Sequence, residues 1–334
     1  MTSSDGSGMG ISRRRFVSVL AVGGVAPLLA RATLAATPAT FEWEGIALGA
    51  QARISLQHTD EREAKAAIAA CLGEVARLEA IFSLYREDSA LTRLNVTGRL
   101  DGAPADLREL LSVAISLAAL SDGAFDPTVQ PLWALYARHF ANPGAAHGGP
   151  DREAIAAAMR LVDWRGIGIN GAAVSLREPG MAITLNGIAQ GYITDRVGAV
   201  LRQRGFRHVL VNMGEHLALG PKWDGKAWRV GIANPAKPTT ALTELPLDSG
   251  AMATSGGYGY WFDAGHRFSH ILDARSGQAR TRWSSVTVVA DNATLADGLS
   301  TVLSVLPPEA ASTILSGRAR AYVVPFGSGT PHWI

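Results

Sequence analysis

The sequence is poor in cysteine and in charged residues. Cys71 is the single cysteine among 334 residues, so the chain cannot form an intramolecular disulfide or a cysteine-based zinc site. It lies in an alanine-rich amphipathic stretch, where a thiol packs as a small hydrophobic group. Charged residues make up 18% of the chain, against roughly 25% in typical soluble domains, and the formal net charge is +2. This balance argues against a nucleic-acid-binding surface.

Several common catalytic signatures are also missing. The sequence contains no GxGxxG after a strand, no Walker A motif, no HExxH and no GxSxG. Its eight histidines are scattered, and only His266 and His270 lie near each other, which argues against a zinc site. What the sequence does have is a hydrophobic content of 47%, which is enough for a full core. Intrinsic disorder and a small disulfide-rich scaffold are therefore excluded.

The N-terminus has the pattern of an export signal. Ser12–Val17 reads SRRRFV, a basic segment of the twin-arginine type, and the apolar run Val17–Leu29 follows it. That run is shorter than the roughly 20 residues of a membrane span, and Ala32–Ala36 offers small residues for cleavage. We therefore predict a signal at 1–36, read by the twin-arginine export machinery, and one domain at 37–334 in the periplasm. Retention of the signal as a membrane anchor is the alternative; once the signal is removed, no stable membrane span is expected.

Removal of the signal changes the charge of the chain. The first 36 residues contain four arginines and one aspartate out of 31 basic and 29 acidic residues, so the remainder carries a net charge of −1. Attraction of an anionic ligand would therefore depend on local charge and not on the overall charge of the protein.

Hydrophobic periodicity predicts an α+β fold. Glu61–Phe82 carries apolar residues at a 3.6-residue period, which predicts a long amphipathic helix. Short glycine-containing turns between strand segments favour mixed, largely antiparallel sheets with packed helices. The segment Asn142–Pro150 is either a linker or an exposed excursion. The other predicted helices are Ala103–Leu120, one from Asp151, Ile188–Arg204 and Thr294–Leu306, and the predicted strands are Ile46–Leu56, two near Ile167 and Val174, Ala182–Leu185, His208–Asn212, Trp228–Ile232, Ser269–Asp273, Ser284–Ala290 and Ala321–Pro325.

Polar groups within small-residue clusters are the candidate site residues. Thr184–Tyr192 runs from a predicted strand into a helix, which is either an ordinary turn or a place where phosphate approaches backbone N–H groups. Asp297 and Thr301 lie four residues apart in the first turns of a predicted helix, so their oxygens share one face and suit Mg²⁺. We expect Asp297 to face solvent towards the site. Alternatively, Asp297 complements the helix dipole, Thr301 bonds its own helix, and His270 is a satisfied, half-buried histidine.

Seven such clusters occur in a characteristic order along the chain. They are Phe82–Asn95, Gly123–Thr128, Thr184–Tyr192, Val211–Glu215, Ala253–Tyr258, Ser269–Asp273 and Ala296–Thr301. Together they resemble the ApbE family of FAD:protein FMN transferases, from about Ile46 to Val324. The resemblance implies that FAD is the substrate and is split at its pyrophosphate, with Mg²⁺ as cofactor and AMP released. FMN would pass to an exposed threonine hydroxyl of an acceptor flavoprotein, a subunit of a periplasmic or membrane-bound redox protein.

The resemblance also implies roles for individual residues. His270 and Asp297 would be catalytic, with His270 near the reacting phosphate. Mg²⁺ would be held by the backbone at Gly187 and by Asp297 and Thr301, with Ser300 adjacent. A cation on the pyrophosphate suits this type of transfer, because the nucleophile comes from the partner protein. The residues implied in FAD binding are Leu48, Tyr85, Ala124, Phe125, Asp126, Thr184, Gln190, Thr254, Ser255 and Ile271.

The sequence departs from the family pattern in two clusters. An acid, two glycines and a lysine are usual where this chain has Thr184, Asn186–Gly187 and Gln190, and a Gly-Gly-Asp run is usual where Gly214–His216 stands. The missing lysine removes a positive charge from a site that must hold a diphosphate. Two alternatives to the transferase therefore remain open: a catalytically degenerate FAD-binding or carrier protein of the same fold, and an FAD pyrophosphatase with water as acceptor.

Overall fold

An eight-stranded antiparallel sheet is the largest element of the computed structural model, which describes residues 37–47 and 49–334. The signal predicted at 1–36 and the predicted FAD-binding residue Leu48 lie outside these residues. The strands are β1 (Ala39–Ala47), β2 (Ala50–His58), β3 (Arg99–Leu100), β4 (Ile167–Asn170), β5 (Ala173–Leu176), β6 (Val209–Asn212), β7 (His216–Leu219), β8 (Trp228–Asn234), β9 (Lys237–Leu247), β10 (Ser249–Ser255), β11 (Ser285–Ala290), β12 (Ala319–Val324) and β13 (His332–Trp333).

The large sheet has the order β1-β2-β6-β7-β10-β11-β12-β13, and all of its neighbouring strands pair antiparallel. Strands β3, β5 and β4 form a small second sheet, and β8 and β9 form a hairpin. The predicted α+β class with largely antiparallel sheets is confirmed. The helices are α1 (Glu61–Phe82), α2 (Ala90–Thr97), α3 (Ala105–Leu120), α4 (Gln130–Ala141), α5 (Arg152–Met159), α6 (Ala189–Gln203), α7 (Ala293–Val305) and α8 (Pro308–Leu315).

Helices α1, α6 and α7 cover one face of the large sheet, and the β8–β9 hairpin covers part of the other. Alternating residues of β10 show the two faces, since Ala251 and Ala253 belong to the main core while Met252 packs with Trp228 and Ile232 of the hairpin. The predicted bounds of α1 are confirmed, and Asp60 caps its first turn by accepting the N–H groups of Arg62 and Glu63. None of the helices in the described part of the chain is long and apolar enough to span a membrane.

The predicted strand Ile46–Leu56 is wrong, because the chain turns back within it. Strands β1 and β2 form a hairpin in which Ala47 pairs with Ala50. Gly49 stands in this turn with φ 81°, a conformation that glycine adopts without strain. The turn explains the difference, since uninterrupted apolar alternation across a tight hairpin looks like one longer strand.

The predicted strand Ala182–Leu185 is also absent. The side chain of Asn95, on α2, bonds both backbone groups of Ile183, accepting its N–H at 2.7 Å and donating to its carbonyl at 2.8 Å. The N–H of Thr184 donates to the carbonyl of Pro127 at 2.8 Å. An asparagine side chain therefore takes the place of a partner strand, and the segment remains extended without joining a sheet.

The predicted strand Ser269–Asp273 is a loop held by isolated bridges. Ser269 pairs with Trp261 and Asp273 with Gln278, but no continuous ladder forms. The Asp263 carboxylate accepts the N–H groups of Arg267 and Phe268, so it organises the turn before this segment. The segment Asn142–Pro150 is an excursion, because it lies between α4 and α5, whose residues share one aromatic cluster.

Helices α6 and α7 approach closely at Gly191. A Cβ at this position would lie 2.3 Å from the carbonyl oxygen of Ala293 and 2.7 Å from the Cβ of Asp297, so no side chain fits there. Asp195, one turn further along α6, accepts the N–H groups of Ala293 and Thr294, both at 2.8 Å, and thereby caps α7. These contacts fix the position of α7, and with it the residues that α7 carries.

Replacing Gly191 with alanine should destabilise the protein. The added methyl group meets backbone of α7 that cannot move without shifting the helix, and we expect a loss of about 1–3 kcal/mol or more in the free energy of unfolding. Gly73→Ala is the matched control, because Gly73 is an exposed glycine of α1 with open space around its Cα, and alanine there should stabilise by about 0.5–1 kcal/mol. Urea unfolding measures both changes. Equal stabilities for the two variants would contradict this account.

Candidate functional site

Three distant parts of the chain bring their oxygen atoms together beside α7. The hydroxyl of Thr301 donates to the carbonyl of Gly187 at 3.3 Å. The hydroxyl of Ser255, at the end of β10, lies 3.3 Å from that of Thr301 and 2.7 Å from that of Ser300. We call these four groups the oxygen centre: the carbonyl of Gly187 and the hydroxyls of Ser255, Ser300 and Thr301. The sequence predicted all four as metal or FAD ligands, and the structure brings them together.

Position 187 requires glycine because Thr301 occupies the space that a side chain would need. A Cβ on Gly187 would lie 3.1 Å from both the Cγ2 and the Oγ1 of Thr301, and 3.4 Å from the Phe125 ring. The backbone carbonyl of Gly187 can therefore approach the Thr301 hydroxyl directly. Phe125, one of the predicted FAD-binding residues, is buried at this contact and brings its loop against the oxygen centre.

Asp297 lies one helical turn before Thr301, but it does not face solvent as the sequence predicted. Its side chain is 4% exposed, and one carboxylate oxygen accepts the N–H of Gly191 at 2.9 Å. Helix α7 starts at Ala293, so Asp297 is in the second turn, where the close approach of α6 buries it. This burial raises the pKa of Asp297 to about 7, opposed by the Gly191 hydrogen bond.

Glu215 is a second buried carboxylate in this region, and the sequence showed it only as a departure from the family pattern. It is 7% exposed and accepts the N–H of Thr254 at 3.2 Å. Burial raises its pKa well above the usual range, and the nearby Asp297 carboxylate raises it further. Gln190 packs against the neighbouring Gly214, whose φ of 107° and lack of a Cβ make room for the amide. No sequence signal distinguishes a buried glutamate here from an exposed one.

The residues at the oxygen centre fit a hard divalent cation. Mg²⁺ prefers oxygen ligands, usually one or two carboxylates with other oxygens, and the carbonyl of Gly187, the hydroxyl of Thr301 and the carboxylate of Asp297 are of that kind. The buried Asp297 carboxylate has no cationic partner among the interactions that set its pKa, so a bound cation would offset its charge. No group of three or more His, Cys, Asp or Glu side chains able to hold a metal occurs within 37–47 and 49–334, so such a site is of mixed oxygen type.

The ionisation of Asp297 should make stability depend on pH. An unfolded aspartate ionises near about pH 3.9, whereas Asp297 in the folded chain has a pKa of about 7. The folded state therefore holds this proton more tightly, and the resulting stabilisation, complete below the unfolded pKa, is lost as the pH rises through 7. Burial lowers the pKa of His216 to about 4, so the contribution of His216 to stability increases as the pH rises. The contribution of Asp297 must therefore be measured as the difference between wild type and a variant that lacks this carboxylate.

We therefore expect cation-free wild type to lose stability relative to Asp297→Asn as the pH rises from about 4 to about 8. Urea unfolding in the presence of a chelator measures the difference, from which the common His216 contribution cancels and to which the part of the Glu215 pKa shift caused by Asp297 adds with the same sign. A difference that stays constant across this pH range would show that Asp297 ionises as an ordinary exposed aspartate.

His270 lies in the loop that follows β10 and is partly buried. Its Nδ1 bonds the carbonyl of Tyr260 at 2.9 Å, and the two rings meet edge to face. If Nδ1 carries the hydrogen in that bond, as a carbonyl partner requires, Nε2 is left as the acceptor. Burial lowers the pKa of His270, so the imidazole is neutral at pH 7 and able to take up a proton. Ile271 is buried beside it and donates its N–H to the Ser269 hydroxyl.

Asp126 is a predicted FAD ligand whose carboxylate is engaged within the protein. One oxygen accepts the N–H and hydroxyl of Thr128 at 2.8 and 2.6 Å, and the other accepts the N–H of Trp164 at 3.0 Å. Ala124 is buried in the same loop. The structure thus gives Asp126 a role in shaping the loop that carries Phe125, and direct contact of Asp126 or Ala124 with FAD stays a prediction.

A groove between α2, α4 and α5 is lined in part by residues close in sequence to Tyr85 and Thr184. Tyr85 is 83% exposed, and the neighbouring Leu84 lines this groove of about 720 Å³ together with Ala182. The Thr184 hydroxyl accepts the N–H of Asn186 and so shapes the turn that leads to Gly187. An exposed aromatic side chain beside an apolar groove can stack on a planar ring, but among the described residues no hydrogen bond or ring contact joins Tyr85 to the oxygen centre.

Several proteins similar to this chain are named as flavin transferases. A FAD:protein FMN transferase from Klebsiella pneumoniae is 30% identical over 317 residues, 91% of this chain and 90% of the relative. The crystal structure of Pseudomonas stutzeri flavinyl transferase ApbE in its apo form has a TM-score of 0.75 at 29% identity, covering 89% of this chain and 94% of that one. The ApbE protein from Thermotoga maritima has a TM-score of 0.78 at 27% identity, covering 88% and 96%.

The shared α+β fold and the relatives' common activity define the class of protein, an enzyme that transfers a chemical group. The family is equally definite: the chain belongs to the ApbE family, whose family model matches residues 48–324. The resemblance seen in the seven sequence clusters is confirmed over nearly the same range. All of the oxygen centre lies within the matched residues.

Proposed function

We propose that this protein transfers FMN from FAD to a threonine hydroxyl of an acceptor redox protein, with Mg²⁺ and release of AMP. The observation that carries the proposal is the oxygen centre with the buried Asp297 beside it, in a chain of the ApbE family. Gly187, Asp297 and Thr301 would hold the cation, and Ser300 and Ser255 would orient the Thr301 hydroxyl. When bound, Mg²⁺ would neutralise charge on the diphosphate of FAD.

The chain's own groups supply positioning and proton transfer. The Gly191 N–H fixes the Asp297 carboxylate at 2.9 Å, and Asp195 holds the start of the helix that carries Asp297 and Thr301. The neutral His270, oriented by the Tyr260 carbonyl, would accept the proton of the attacking threonine hydroxyl at Nε2. The bond that forms joins the threonine oxygen to the FMN phosphorus, and the bond that breaks is the pyrophosphate link, so AMP leaves.

FAD recognition would use the loops around this centre. The Phe125 ring lies against Gly187, and Thr184 shapes the turn before it. Gln190 lies three residues after Gly187, Thr254 immediately precedes Ser255, and Ile271 follows the proposed base His270. Tyr85 and its groove would offer an aromatic surface to one of the ring systems of FAD. The remaining predicted contacts, through Ala124 and Asp126, would act by shaping the loop that bears Phe125.

Incubation with FAD, Mg²⁺ and a candidate acceptor tests the proposal. A covalent, fluorescent flavin on the acceptor together with AMP release is the expected result, and an acceptor whose threonine is changed to valine should stay unlabelled. AMP and free FMN without labelling would instead identify an FAD pyrophosphatase. FAD that stays intact and bound, with no AMP, would identify a carrier protein of the same fold.

The proposed location is the periplasm, reached in the folded state by the twin-arginine machinery. This follows from the pattern SRRRFV at Ser12–Val17 and the apolar run behind it. An acceptor there would be a redox subunit that exposes a threonine. Fractionation of cells that produce the full chain tests the location, and protein found only in the cytoplasm would overturn it.

A further inference from the structure

Glu215 is a buried carboxylate that the proposed reaction does not use. Its side chain is 7% exposed, and its Oε2 accepts the N–H of Thr254 at 3.2 Å. In the described part of the chain no other hydrogen bond reaches the carboxylate, which leaves Oε1 without a donor. Thr254 immediately precedes Ser255, whose hydroxyl lies 3.3 Å from that of Thr301. The Glu215 carboxylate is therefore attached to the same strand end that supplies the oxygen centre.

No fixed cation offsets this carboxylate. Across residues 37–47 and 49–334, neither Glu215 nor Asp297 forms an ion pair with a lysine, arginine or histidine, and the charged group that acts most on Glu215 is Asp297 itself. A buried carboxylate without a partner is costly, and such groups in proteins are paired or bind metal. Asp106 shows the paired arrangement in the same fold, since this buried aspartate accepts from Arg77 at 2.7 Å and from Tyr192 at 3.0 Å.

The side chains that helix α6 places beside Gly214 and Glu215 are neutral. Gln190 lies against Gly214, where a Cβ would come within 2.6 Å of the Gln190 Cδ. The Thr194 hydroxyl, one turn along α6, lies 3.3 Å from the carbonyl oxygen of Glu215. Helix α6 thus packs on Glu215 with an amide and a hydroxyl, neither of which carries a charge.

We propose that Glu215 supplies a second carboxylate to the divalent-cation site formed by Gly187, Asp297 and Thr301. The cation takes the place of a fixed basic side chain in offsetting the buried negative charge. A site with two carboxylates, a hydroxyl and a carbonyl selects a hard divalent ion such as Mg²⁺ or Mn²⁺. This inference rests on the proposed function, which assigns the cation to the first three groups.

Mn²⁺ binding to the purified full chain, without FAD, tests the proposal. The electron paramagnetic resonance signal of free Mn²⁺ gives the dissociation constant directly, independently of any turnover. Glu215→Gln keeps the size and the hydrogen-bond acceptor but removes the charge, and we expect it to weaken Mn²⁺ binding by roughly 10–100-fold. Asp106→Asn is the matched control, because it neutralises a buried carboxylate that has its own arginine, and it should bind Mn²⁺ as wild type does.

A second variant keeps the proposal testable if Glu215→Gln does not fold. Gln190→Lys leaves both carboxylates in place but puts an ammonium group beside Gly214 and Glu215, so it should also weaken Mn²⁺ binding by competing with the ion. If Glu215→Gln folds and binds Mn²⁺ with wild-type affinity, the proposed role of Glu215 is overturned, while the metal site itself is not. If only Gln190→Lys folds, wild-type affinity in that variant has the same meaning. Failure of the wild-type protein to bind Mn²⁺ would overturn this role together with the metal site of the proposed function.

Discussion

Asp297→Asn should abolish cation-dependent release of AMP from FAD while the protein remains folded. Asparagine has the size of aspartate, and its carbonyl oxygen can still accept the N–H of Gly191, so the contact between α6 and α7 is kept. The charge that would hold the cation is lost. Loss of several kcal/mol of transition-state stabilisation corresponds to a rate decrease on the order of 10³-fold. Alanine is a poorer choice, because it would also leave the buried Gly191 N–H without an acceptor.

The measurement is AMP release over a range of Mg²⁺ concentrations, with circular dichroism as the check on folding. Asp106→Asn serves again as the control, since it removes a buried carboxylate held by Arg77 and should retain cation-dependent turnover. A folded Asp297→Asn variant that releases AMP at the wild-type rate would refute the assignment of Asp297 to the cation.

His270→Ala should slow transfer to the acceptor threonine by roughly 10²–10⁴-fold, the contribution typical of a general base. The imidazole is held by the Tyr260 carbonyl at 2.9 Å, and its burial lowers the pKa of His270, so the base form is present at neutral pH. FAD binding should change little, because the expected role is proton transfer and not ligand binding. Single-turnover labelling of the acceptor measures the rate, and quenching of flavin fluorescence measures the affinity.

The pH profile separates a base from a structural histidine. Wild-type transfer should fall only below the ordinary histidine range of about pH 6.5, since the pKa of His270 is lowered, and this acidic decline should disappear in His270→Ala. His266→Ala is the matched control, because His266 is exposed and stacks on Trp261, five residues earlier in the chain. Equal transfer rates for wild type and His270→Ala would remove His270 from the mechanism.

Helices with a long apolar period were the most predictable part of the fold. The bounds of α1 are correct at both ends, and those of α6 and α7 differ from the predictions by one residue at each end, because burial on the sheet requires the periodicity that the sequence shows. Helices α2, α4 and α8 and strands β3, β7, β9, β10 and β13 were missed, as was most of β1. Most of these elements are short or lack clear periodicity, and β9 is almost entirely exposed, so it has no buried face to give alternation.

Two predicted strands are absent from the structure because their hydrogen-bond partners are not strands. Ala182–Leu185 has a strand-like composition, but its partner is one asparagine side chain from a helix 88 residues earlier. Ser269–Asp273 alternates in the right way, but its backbone bonds go to single residues of neighbouring turns. A local sequence pattern cannot predict these hydrogen-bond partners, since they belong to segments that come together only in the folded chain.

The composition of the site was predictable, and its electrostatics were not. The family resemblance implied Gly187, Ser300 and Thr301 at a metal site and Ser255 in FAD binding, and the structure joins these four residues by hydrogen bonds. The burial of Asp297 depends on the missing Cβ of Gly191, which the position of Asp297 in its own helix does not reveal. In the same way, how α6, β7 and β10 pack leaves Glu215 without an ion pair to a lysine, arginine or histidine among the residues that the structure describes.

The wide spacing of the oxygen centre along the chain has a consequence for biogenesis. The hydroxyl of Thr301 meets the carbonyl of Gly187 across 114 residues, so a nascent polypeptide has no such centre until helix α7 has left the ribosome. Assembly of the centre therefore waits for the synthesis of helix α7. If the chain is exported folded, as proposed, the oxygen centre forms in the cytoplasm and crosses the membrane already assembled. The first ions available to bind it would then be those of the cytoplasm.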